Sequence, residues 1–451
     1  MEIPLLDIVS RLDFLSFTIL GILGLFLLYF MLPEKIYGLM FLLALSAAFV
    51  GSSISFVADV CTLIRWVIIL LLLMSGILFG KVKLSIGVLL FWGYGLLGFA
   101  SLLNSISPLW QFQRGMLLLM VALAIPIAYG DKPYPAYKLS LVSIAIVGSI
   151  FSIYNFIPLQ SQLGNAARLT GLARSASNFS MDLGGLLPFI YWGLWKSDSK
   201  WIRIFCGVGF LLGIITLALS GQRAGAIAGL VGLIPLIVLT ISKREGIKKG
   251  FPFFGVTAVV CYLILQWAGT DRLDFLTGRY SINEGASGRV LIWEFALSEI
   301  DKNIFMGHGI GAAETVFPSS FHNAYLEIWF NAGIFGLVFY IAAQVYFFYR
   351  IVVSWFRYKS VEVRSILALG MGYMLGFVGL CFVESVGAAA STLNVILYLF
   401  IGVVISNDII FKSISSETLA QLHPQKRQAS TDCRQIMSDQ RINGCALQKT
   451  G

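Results

Sequence analysis

A succession of apolar stretches, each long enough to cross a lipid bilayer, constrains this chain more than any other feature of its sequence. A spanning helix needs about 20 mostly apolar residues, and by that measure the sequence predicts about thirteen spans. Because lipid offers no partner to backbone N–H and C=O groups, such stretches must be helical. We therefore expect an all-α, polytopic integral membrane protein with about 12–13 transmembrane helices. The predicted spans cover 14–32, 36–57, 63–79, 84–103, 115–129, 139–157, 181–195, 202–219, 224–241, 253–268, 325–349, 366–383 and 389–406.

The composition excludes an ordinary soluble domain. Hydrophobic residues make up 58% of the chain and charged residues 12%, whereas a soluble protein carries about 25% charged residues. The net charge of +9 would suggest a nucleic-acid partner in a soluble protein. Here it fits the excess of lysine and arginine in the cytoplasmic loops of membrane proteins, so we expect membrane lipids and no nucleic acid as partners.

Basic residues fall in alternate loops, which predicts the orientation of the chain. Loops rich in lysine and arginine stay in the cytoplasm, so the opposite loops 158–180, 220–223 and 269–321 are expected to be periplasmic. We divide the chain into helices and short loops at 1–268, a large periplasmic loop with short helices at 269–323, further helices at 324–406, and a polar cytoplasmic tail at 407–451. The tail lacks apolar periodicity and is predicted to be disordered. The basic loop residues are Lys81, Lys83, Lys132, Lys138, Lys196, Lys200, Arg203, Lys243, Arg244, Lys248, Lys249, Arg357, Lys359 and Arg364.

The large loop contains a segment with helical periodicity. In SGRVLIWEFALSEI, residues 287–300, the apolar positions recur largely at helical spacing, and Ser287 is a suitable residue to cap the helix start. We predict an amphipathic helix that lies over the membrane domain. The glycine-rich turn MGHGIG follows, and then the segment SSFHNAYLEIWFNAGIFG, in which the loop re-enters an apolar helix.

Ionisable residues close to spanning segments are costly, so their grouping is informative. Many of them fall at predicted outer ends or in outer loops, which indicates a polar site open to the outside. Anchoring at the interface is an alternative explanation for about half of them, because helix ends tolerate charge. The residues are Asp59, Arg65, Arg114, Arg168, Arg174, Asp182, Arg223, Glu327 and Glu384.

Three arginines are candidates for binding a diphosphate. A guanidinium is planar, always charged and suited to bidentate binding of phosphate. Arg223 lies in the tight turn LSGQRAGAIAG, Arg289 near the start of the predicted loop helix, and Arg168 in the turn-rich segment ARLTGLARSASN. A solvated or lipid-headgroup-facing charge remains the alternative for any one of them.

His322 is the candidate general base. Ser319 and Ser320 precede it as possible caps of the next helix, and the positive end of that helix dipole should keep the imidazole neutral. A neutral imidazole can accept a proton. On helical spacing, Tyr325, Leu326 and Trp329 should share the face of His322. We expect Tyr325 and Trp329 to line an acceptor site, with Glu327 and Asp182 as further lining candidates. Glu327 and Asp182 are also the alternative bases. The simpler alternative is an interfacial histidine bonded to a backbone carbonyl.

The order of these pieces resembles the O-antigen ligase and O-antigen polymerase superfamily. The matching strings are LSGQRAGAIAG, SGRVLIWEFALSEI, GHGIG and SFHNAYLEIWFNAGIFG, with ARLTGLARSASNF upstream. By this resemblance His322 matches the catalytic loop histidine, Arg223 the arginine of the outer turn and Arg289 that of the loop helix, while Arg168 matches less closely. Gln222 departs from the family, in which many members have serine before the arginine.

The resemblance implies a membrane glycosyltransferase of the C type. Its donor would be a glycan on undecaprenyl diphosphate, and its site would face the periplasm from a bacterial inner membrane. The acceptor would be lipid A-core or a protein for a ligase, and another lipid-linked glycan for a polymerase of O-antigen, capsule or exopolysaccharide. Polysaccharide export or chain-length-regulating proteins would be possible partners.

No cofactor and no metal site are expected. The sequence has no Asp-x-Asp-like pair near the loop, and Asp271, Asp274 and Glu284 are scattered at spacings that are typical of solvent-facing residues. We therefore expect metal-independent activity.

Two functions from other classes fit parts of the sequence. A transporter or flippase of small anions or glycans would also have many spans with glycine-interrupted helices, but it should carry charges near the bilayer midplane. A structural membrane partner in a polysaccharide export complex would not need Arg223 and His322 together.

The orientation can be tested with reporter fusions. Fusions after Arg279 should report a periplasmic location and fusions after Lys248 a cytoplasmic one, because the basic loops stay inside. Activity of paired alkaline phosphatase and fluorescent-protein reporters measures both. The reverse pattern would put the candidate site on the wrong side of the membrane for a periplasmic donor.

Overall fold

The structure is a computed structural model that describes residues 35–79, 84–105, 107–130, 132–157, 172–173, 175–220, 222–241, 282–317, 321–386, 393–408, 411–412 and 414. These residues form α-helices and one short 3-10 turn at Ser101–Asn104. In chain order the helices are α1 (Ile36–Phe49), α2 (Ser55–Phe79), α3 (Ile86–Ala100), α4 (Pro108–Tyr129), α5 (Tyr134–Phe156), α6 (Ala176–Lys196), α7 (Lys200–Ser220), α8 (Arg223–Ile241), α9 (Ile282–Ile300), α10 (Ala312–Val316), α11 (Ala324–Arg357), α12 (Val361–Val383) and α13 (Leu393–Ser406).

The all-α, polytopic membrane fold is confirmed. Every predicted span within the described residues forms a helix, and eight of these helices are long and apolar enough to cross a membrane. The predicted spans 14–32 and 253–268, the start of the large loop and most of the tail lie outside the described residues. One boundary was wrong. The chain turns at 50–54, where the Ser53 N–H donates to the Leu172 carbonyl at 2.7 Å, so α1 is short and α2 begins at Ser55.

Helix α13 lies at the centre of the bundle. It contacts α4, α12, α11, α1, α3 and α6, and its residues from Leu393 to Ile405 are buried. On one side α5, α6, α7, α8 and α12 pack together, and on the other side α2, α3, α4 and α11 do so. A helix that is apolar around its whole circumference is typical of such an enclosed position.

Glycines let α6, α8 and α12 approach until their backbones touch. A Cβ atom on Gly372 of α12 would overlap the carbonyl oxygen of Gly232 on α8, and one on Gly184 of α6 would overlap that of Gly225. Small residues at such crossings replace the hydrophobic effect, which provides no attraction between helices in lipid. The crossings also set the register, since they bring the start of α6, the start of α8 and the end of α12 to one end of the bundle.

Helix α11 is broken at Gly333, where the backbone has φ 69° and ψ −178°. The glycine-rich turn at 304–311 fills the break and pairs the backbone groups that the break leaves free. Irregular backbone at membrane depth is tolerated where protein encloses it. The hydrogen bonds run from the His308 N–H to Phe330 O (2.9 Å), from the Gly309 N–H to Asn331 O (2.8 Å) and from the Ile334 N–H to Ile304 O (2.9 Å).

The described basic loop residues gather at the other end of the bundle. Lys196 Nζ lies 2.6 Å from Glu362 Oε2 and joins the end of α6 to the start of α12, and Tyr134 donates to the same carboxylate. Arg357 Nη1 lies 3.6 Å from Asp408 Oδ2 and joins the end of α11 to the residues that follow α13. The grouping agrees with the predicted alternation of loops, and the identity of each side stays a prediction.

Two glycines on α12 form a matched pair for testing the helix crossing. Gly372→Ala should destabilise the protein by about 1–3 kcal/mol, because the added methyl group meets the α8 backbone. Gly379→Ala should be neutral or stabilising by up to about 1 kcal/mol, since that position opens onto free space and alanine favours a helix. Thermal unfolding of the two purified variants in detergent measures the difference. Equal melting temperatures would contradict the close crossing.

Candidate functional site

His322 lies in the turn that precedes α11, not in the helix itself. Its backbone has φ 50°, the left-handed region that residues other than glycine seldom adopt. The cap of α11 is Asn323, whose Oδ1 accepts from the Tyr325 and Leu326 N–H groups at 3.0 and 3.1 Å. Ser319 and Ser320 lie outside the described residues. The expectation that His322 shares a helix face with Tyr325, Leu326 and Trp329 was therefore wrong.

The imidazole of His322 contacts a carboxylate. His322 Nδ1 lies 2.9 Å from Glu384 Oε2, and the Glu384 side chain is only 7% exposed. Because a carboxylate only accepts hydrogen bonds, Nδ1 must be the donor, which leaves Nε2 as the acceptor when the ring is neutral. The sequence argument from the helix dipole did not include this carboxylate, whose hydrogen bond places the proton of the neutral ring on Nδ1.

Arg289 binds the other oxygen of the same carboxylate. Its Nη2 lies 3.4 Å from Glu384 Oε1, and its Nη1 donates to the Val383 carbonyl at 3.1 Å. Helix α9 begins at Ile282, so Arg289 lies well inside the helix, and Ser287 does not cap it. Both expectations about the helix start were wrong, because the periodicity of residues 287–300 continues a helix that starts earlier.

Helix α9 and the histidine turn are fixed to each other. Trp293 Nε1 donates to the Phe321 carbonyl at 2.9 Å, one residue before His322. Ala296, Ile300, Phe321 and Phe330 belong to a small apolar cluster under the loop. Arg289 and His322 each contact one oxygen of Glu384, so three segments that are distant in sequence form one polar site.

Arg223 is exposed at the first position of α8, directly after the end of α7 at Ser220, so the predicted tight turn is present. The crossing of α8 with α12 pairs Ala228 with Gly376, and continuing this antiparallel register places Arg223 at the level of the last turn of α12. Arg223 therefore lies at the same end of the bundle as Glu384. Arg168 lies outside the described residues.

The other candidate lining residues differ in their surroundings. The Tyr325 hydroxyl donates to Gln344 Oε1 at 3.0 Å and its ring packs on Phe382 at 4.9 Å, whereas Trp329 donates to the Ile304 carbonyl at 3.3 Å. Asp182 accepts from Asn394 Nδ2 at 3.1 Å in the bundle interior. Glu327 is 1% exposed. Tyr325 is thus the member of this group that packs against the residues leading into Glu384.

A group of buried and half-buried ionisable residues includes Glu327. Arg114 Nη2 forms an ion pair with Glu314 Oε2 at 2.9 Å, and both interact electrostatically with Glu327. Arg65, 5% exposed in α2, interacts with Arg114. Arg114 and Glu314 are partly exposed and pair with each other, whereas Arg65 and Glu327 are buried. The sequence had placed Arg65 at a helix end, but α2 begins ten residues earlier.

The arrangement can hold an anion and move a proton. Arg289 and Arg223 are cations at one end of the bundle, and with Nδ1 of His322 donating to Glu384 the neutral ring has Nε2 as its proton acceptor. Glu384 is the residue whose importance the sequence did not reveal. In the sequence, Glu384 is only one of several ionisable residues at the predicted outer ends of spans. Its contacts with His322 and Arg289 depend on tertiary structure and leave no local signal.

The comparisons with known proteins concern the segment that carries this site. Residues 208–341 match the family model described as O-antigen ligase, and this segment includes Arg223, Arg289 and His322. No curated protein matches the chain. The match supports a role as a membrane glycan ligase or polymerase that uses glycan and lipid-linked substrates. Through residues 208–341, the resemblance of this multi-pass membrane protein to the O-antigen ligase and polymerase superfamily is confirmed.

Proposed function

We propose that this protein is a membrane glycosyltransferase of the C type that transfers or polymerises glycan from an undecaprenyl-diphosphate donor at the periplasmic face of the bacterial inner membrane. The reaction would belong to cell-surface polysaccharide biosynthesis. The observation that carries the proposal is the contact of His322 and Arg289 with the same buried carboxylate, Glu384. His322 and Arg289 lie in the segment that matches the family, and Glu384 follows that segment in the chain.

The proposed reaction is a single displacement. The acceptor hydroxyl oxygen attacks the anomeric carbon, the bond from that carbon to the diphosphate oxygen breaks, and the configuration inverts. His322 Nε2 accepts the hydroxyl proton, and undecaprenyl diphosphate leaves with the bonding electron pair. A general base of this kind contributes about 10²–10⁴-fold to a rate.

Glu384 supports His322 in two ways. Its hydrogen bond to Nδ1 fixes the tautomer in which Nε2 is the proton acceptor, and its negative charge stabilises the imidazolium that forms when the proton arrives. Arg289 holds the second oxygen of the carboxylate and retains donors for a phosphate. Arg223 and Arg289 would offset the charge that develops on the departing diphosphate, which is the usual source of stabilisation in such a transition state.

The proposal has two versions, which differ in the acceptor that receives the glycan. A ligase would use lipid A-core or a protein, and a polymerase would use a second lipid-linked glycan. Purified protein with an undecaprenyl-diphosphate glycan as the sole substrate distinguishes them, because only a polymerase can then lengthen the glycan. EDTA should be present, since the proposed mechanism uses no metal.

The first test concerns His322. His322→Ala should lower the transfer rate by about 10²–10⁴-fold, because it removes the base. Binding of the lipid-linked donor should persist, since the arginines supply the contacts to the diphosphate. Single-turnover transfer in detergent, with donor binding measured separately, gives both quantities.

His308 provides the matched control for this substitution. Its ring stacks on Phe330 and its Nε2 lies 3.3 Å from the Glu299 carbonyl, away from Glu384. His308→Ala removes the same side chain from the neighbouring turn and should leave most of the transfer rate. Near-normal turnover by His322→Ala in correctly inserted protein would show that the ring is an interfacial residue.

The second test concerns the arginines. Arg223→Ala and Arg289→Ala should each reduce transfer roughly tenfold to more than a hundredfold, which corresponds to about 1.5–3 kcal/mol for a charge-assisted hydrogen bond. Lysine keeps the charge but loses the bidentate geometry, so Arg→Lys variants should recover only part of the rate.

Arg364→Ala serves as the control for these variants. Arg364 lies at the opposite end of the bundle, where it packs over the Trp355 ring. It should retain wild-type transfer. If Arg223→Ala and Arg289→Ala both retain the wild-type transfer rate, these arginines anchor the protein and do not bind the donor.

A further inference from the structure

Asn323, the residue after His322, forms hydrogen bonds with two helices through the two atoms of its side-chain amide. Its Oδ1 accepts from the Tyr325 and Leu326 N–H groups at the start of α11, at 3.0 and 3.1 Å. Its Nδ2 donates to the Phe382 carbonyl near the end of α12 at 3.3 Å. These partners determine the orientation of the amide, because N–H groups need an acceptor and a carbonyl needs a donor.

The end of α12 receives donors from both segments that contact the Glu384 carboxylate. The last carbonyl groups of an α-helix have no N–H partner within the helix, so other groups must supply the donors. The Phe382 carbonyl accepts from Asn323, and the Val383 carbonyl accepts from Arg289 Nη1 at 3.1 Å. The histidine turn therefore contacts this helix end twice, through the imidazole of His322 and through the neighbouring amide.

We propose that Asn323 is a positioning residue that holds the turn bearing His322 against the end of α12, so that the imidazole stays in hydrogen-bond contact with Glu384. The proposal rests on the proposed function, because it concerns the histidine assigned there as the base. Asn323 touches no reacting atom and exchanges no proton. It fixes the separation of the two segments across which Nδ1 contacts Oε2 at 2.9 Å.

Both members of this pair lie outside the helices, so their positions depend on contacts of the turns. His322 precedes α11 with φ 50°, a conformation that persists only where the surroundings enforce it. Glu384 follows the last residue of α12 in an extended conformation. Trp293 holds the carbonyl of Phe321, the residue before His322, against α9. Asn323 holds the residue after His322 against α12, so the turn is attached on both sides.

A serine at position 323 would separate the two contacts of Asn323. Serine caps a helix about as well as asparagine, so Asn323→Ser keeps an acceptor for the start of α11 and adds no charge. The serine hydroxyl lies one bond closer to the backbone than the amide nitrogen. It is therefore too short to cap α11 and also reach the Phe382 carbonyl, which the longer amide contacts at 3.3 Å.

An experiment that does not depend on activity reports the His322 ring. The chain has three histidines, so NMR of protein with isotope-labelled histidine can follow them all, and His322→Ala assigns the signal. At about pH 8.5, where an ordinary imidazole is neutral, wild-type His322 should carry its proton on Nδ1. In Asn323→Ser part of this signal should shift to the tautomer protonated on Nε2, because the turn no longer holds the ring at Glu384. An unchanged His322 spectrum would overturn the proposal.

Kinetics separate positioning from capping. The bond from Nδ2 is exposed and joins neutral groups, so its loss in Asn323→Ser should lower kcat about two- to tenfold. The KM of the donor should change little, since the arginines hold the diphosphate, and the unfolding temperature should stay close to wild type. Asn323→Ala, which also removes the cap, should lower both kcat and the unfolding temperature. Wild-type kcat in Asn323→Ser would make Asn323 a helix cap only and overturn the proposal.

A double variant tests whether Asn323 acts through His322. If it does, Asn323→Ser added to His322→Ala should cause no further loss of rate, because residues that act as one unit are not additive. An additive loss would overturn the proposal, since it would assign Asn323 a contact of its own with the substrate.

Asn407→Ser is the matched control. Asn407 Nδ2 donates to the Gly130 carbonyl at 3.0 Å at the opposite end of the bundle, so the substitution removes the same kind of bond between two helix ends. It should leave the His322 tautomer and kcat unchanged. The same changes as in Asn323→Ser would overturn the proposal, because they would come from a general loosening of the bundle. Absence of transfer by the wild-type protein would contradict the proposed function alone, because NMR would still report the contact of His322 with Glu384.

Discussion

The site depends on a carboxylate that is almost fully removed from water. Glu384 is buried at the end of α12, and a buried carboxylate is stable only where cations or hydrogen-bond donors surround it. His322 and Arg289 supply those donors, one to each oxygen. The Glu384 carboxylate therefore joins three parts of the chain: the end of the spanning helix α12, the loop helix α9 and the turn before α11.

The interior behind the carboxylate follows the same rule at the level of the backbone. The break at Gly333 frees carbonyl groups in α11, and the glycine-rich turn supplies N–H groups to them. The turn can approach so closely because Gly307, Gly309 and Gly311 adopt positive φ values. Backbone without helical pairing thus lies inside the protein, where it is paired, and not against lipid, where the cost would be several kcal/mol per group.

Hydrophobic length predicted most of this fold. The apolar stretches determine where helices form, and the described spans agree with them apart from boundaries such as the turn at 50–54. The sequence also singled out Arg223, Arg289 and His322, because ionisable residues are rare in such a chain. Their partners were not predictable, since Glu384 is 62 positions from His322 and 95 from Arg289 and nothing local marks the contacts. The break in α11 was missed because NAGIFG also fits a helix with a small-residue contact surface.

The glycine crossings have a mechanical consequence for how substrates enter. Where backbones of α6, α8 and α12 touch, no layer of side chains remains that could change rotamer and absorb a displacement. The wall that carries Arg223 and the end of α12 should therefore behave as one stiff body. Helix α9 is attached to the membrane helices mainly through α11 and presents Leu291 and Leu297 outward. If the site must widen to admit a bulky lipid-linked glycan, α9 would then have to move. The helices α6, α8 and α12 would keep their positions, and the substrate would be aligned against them.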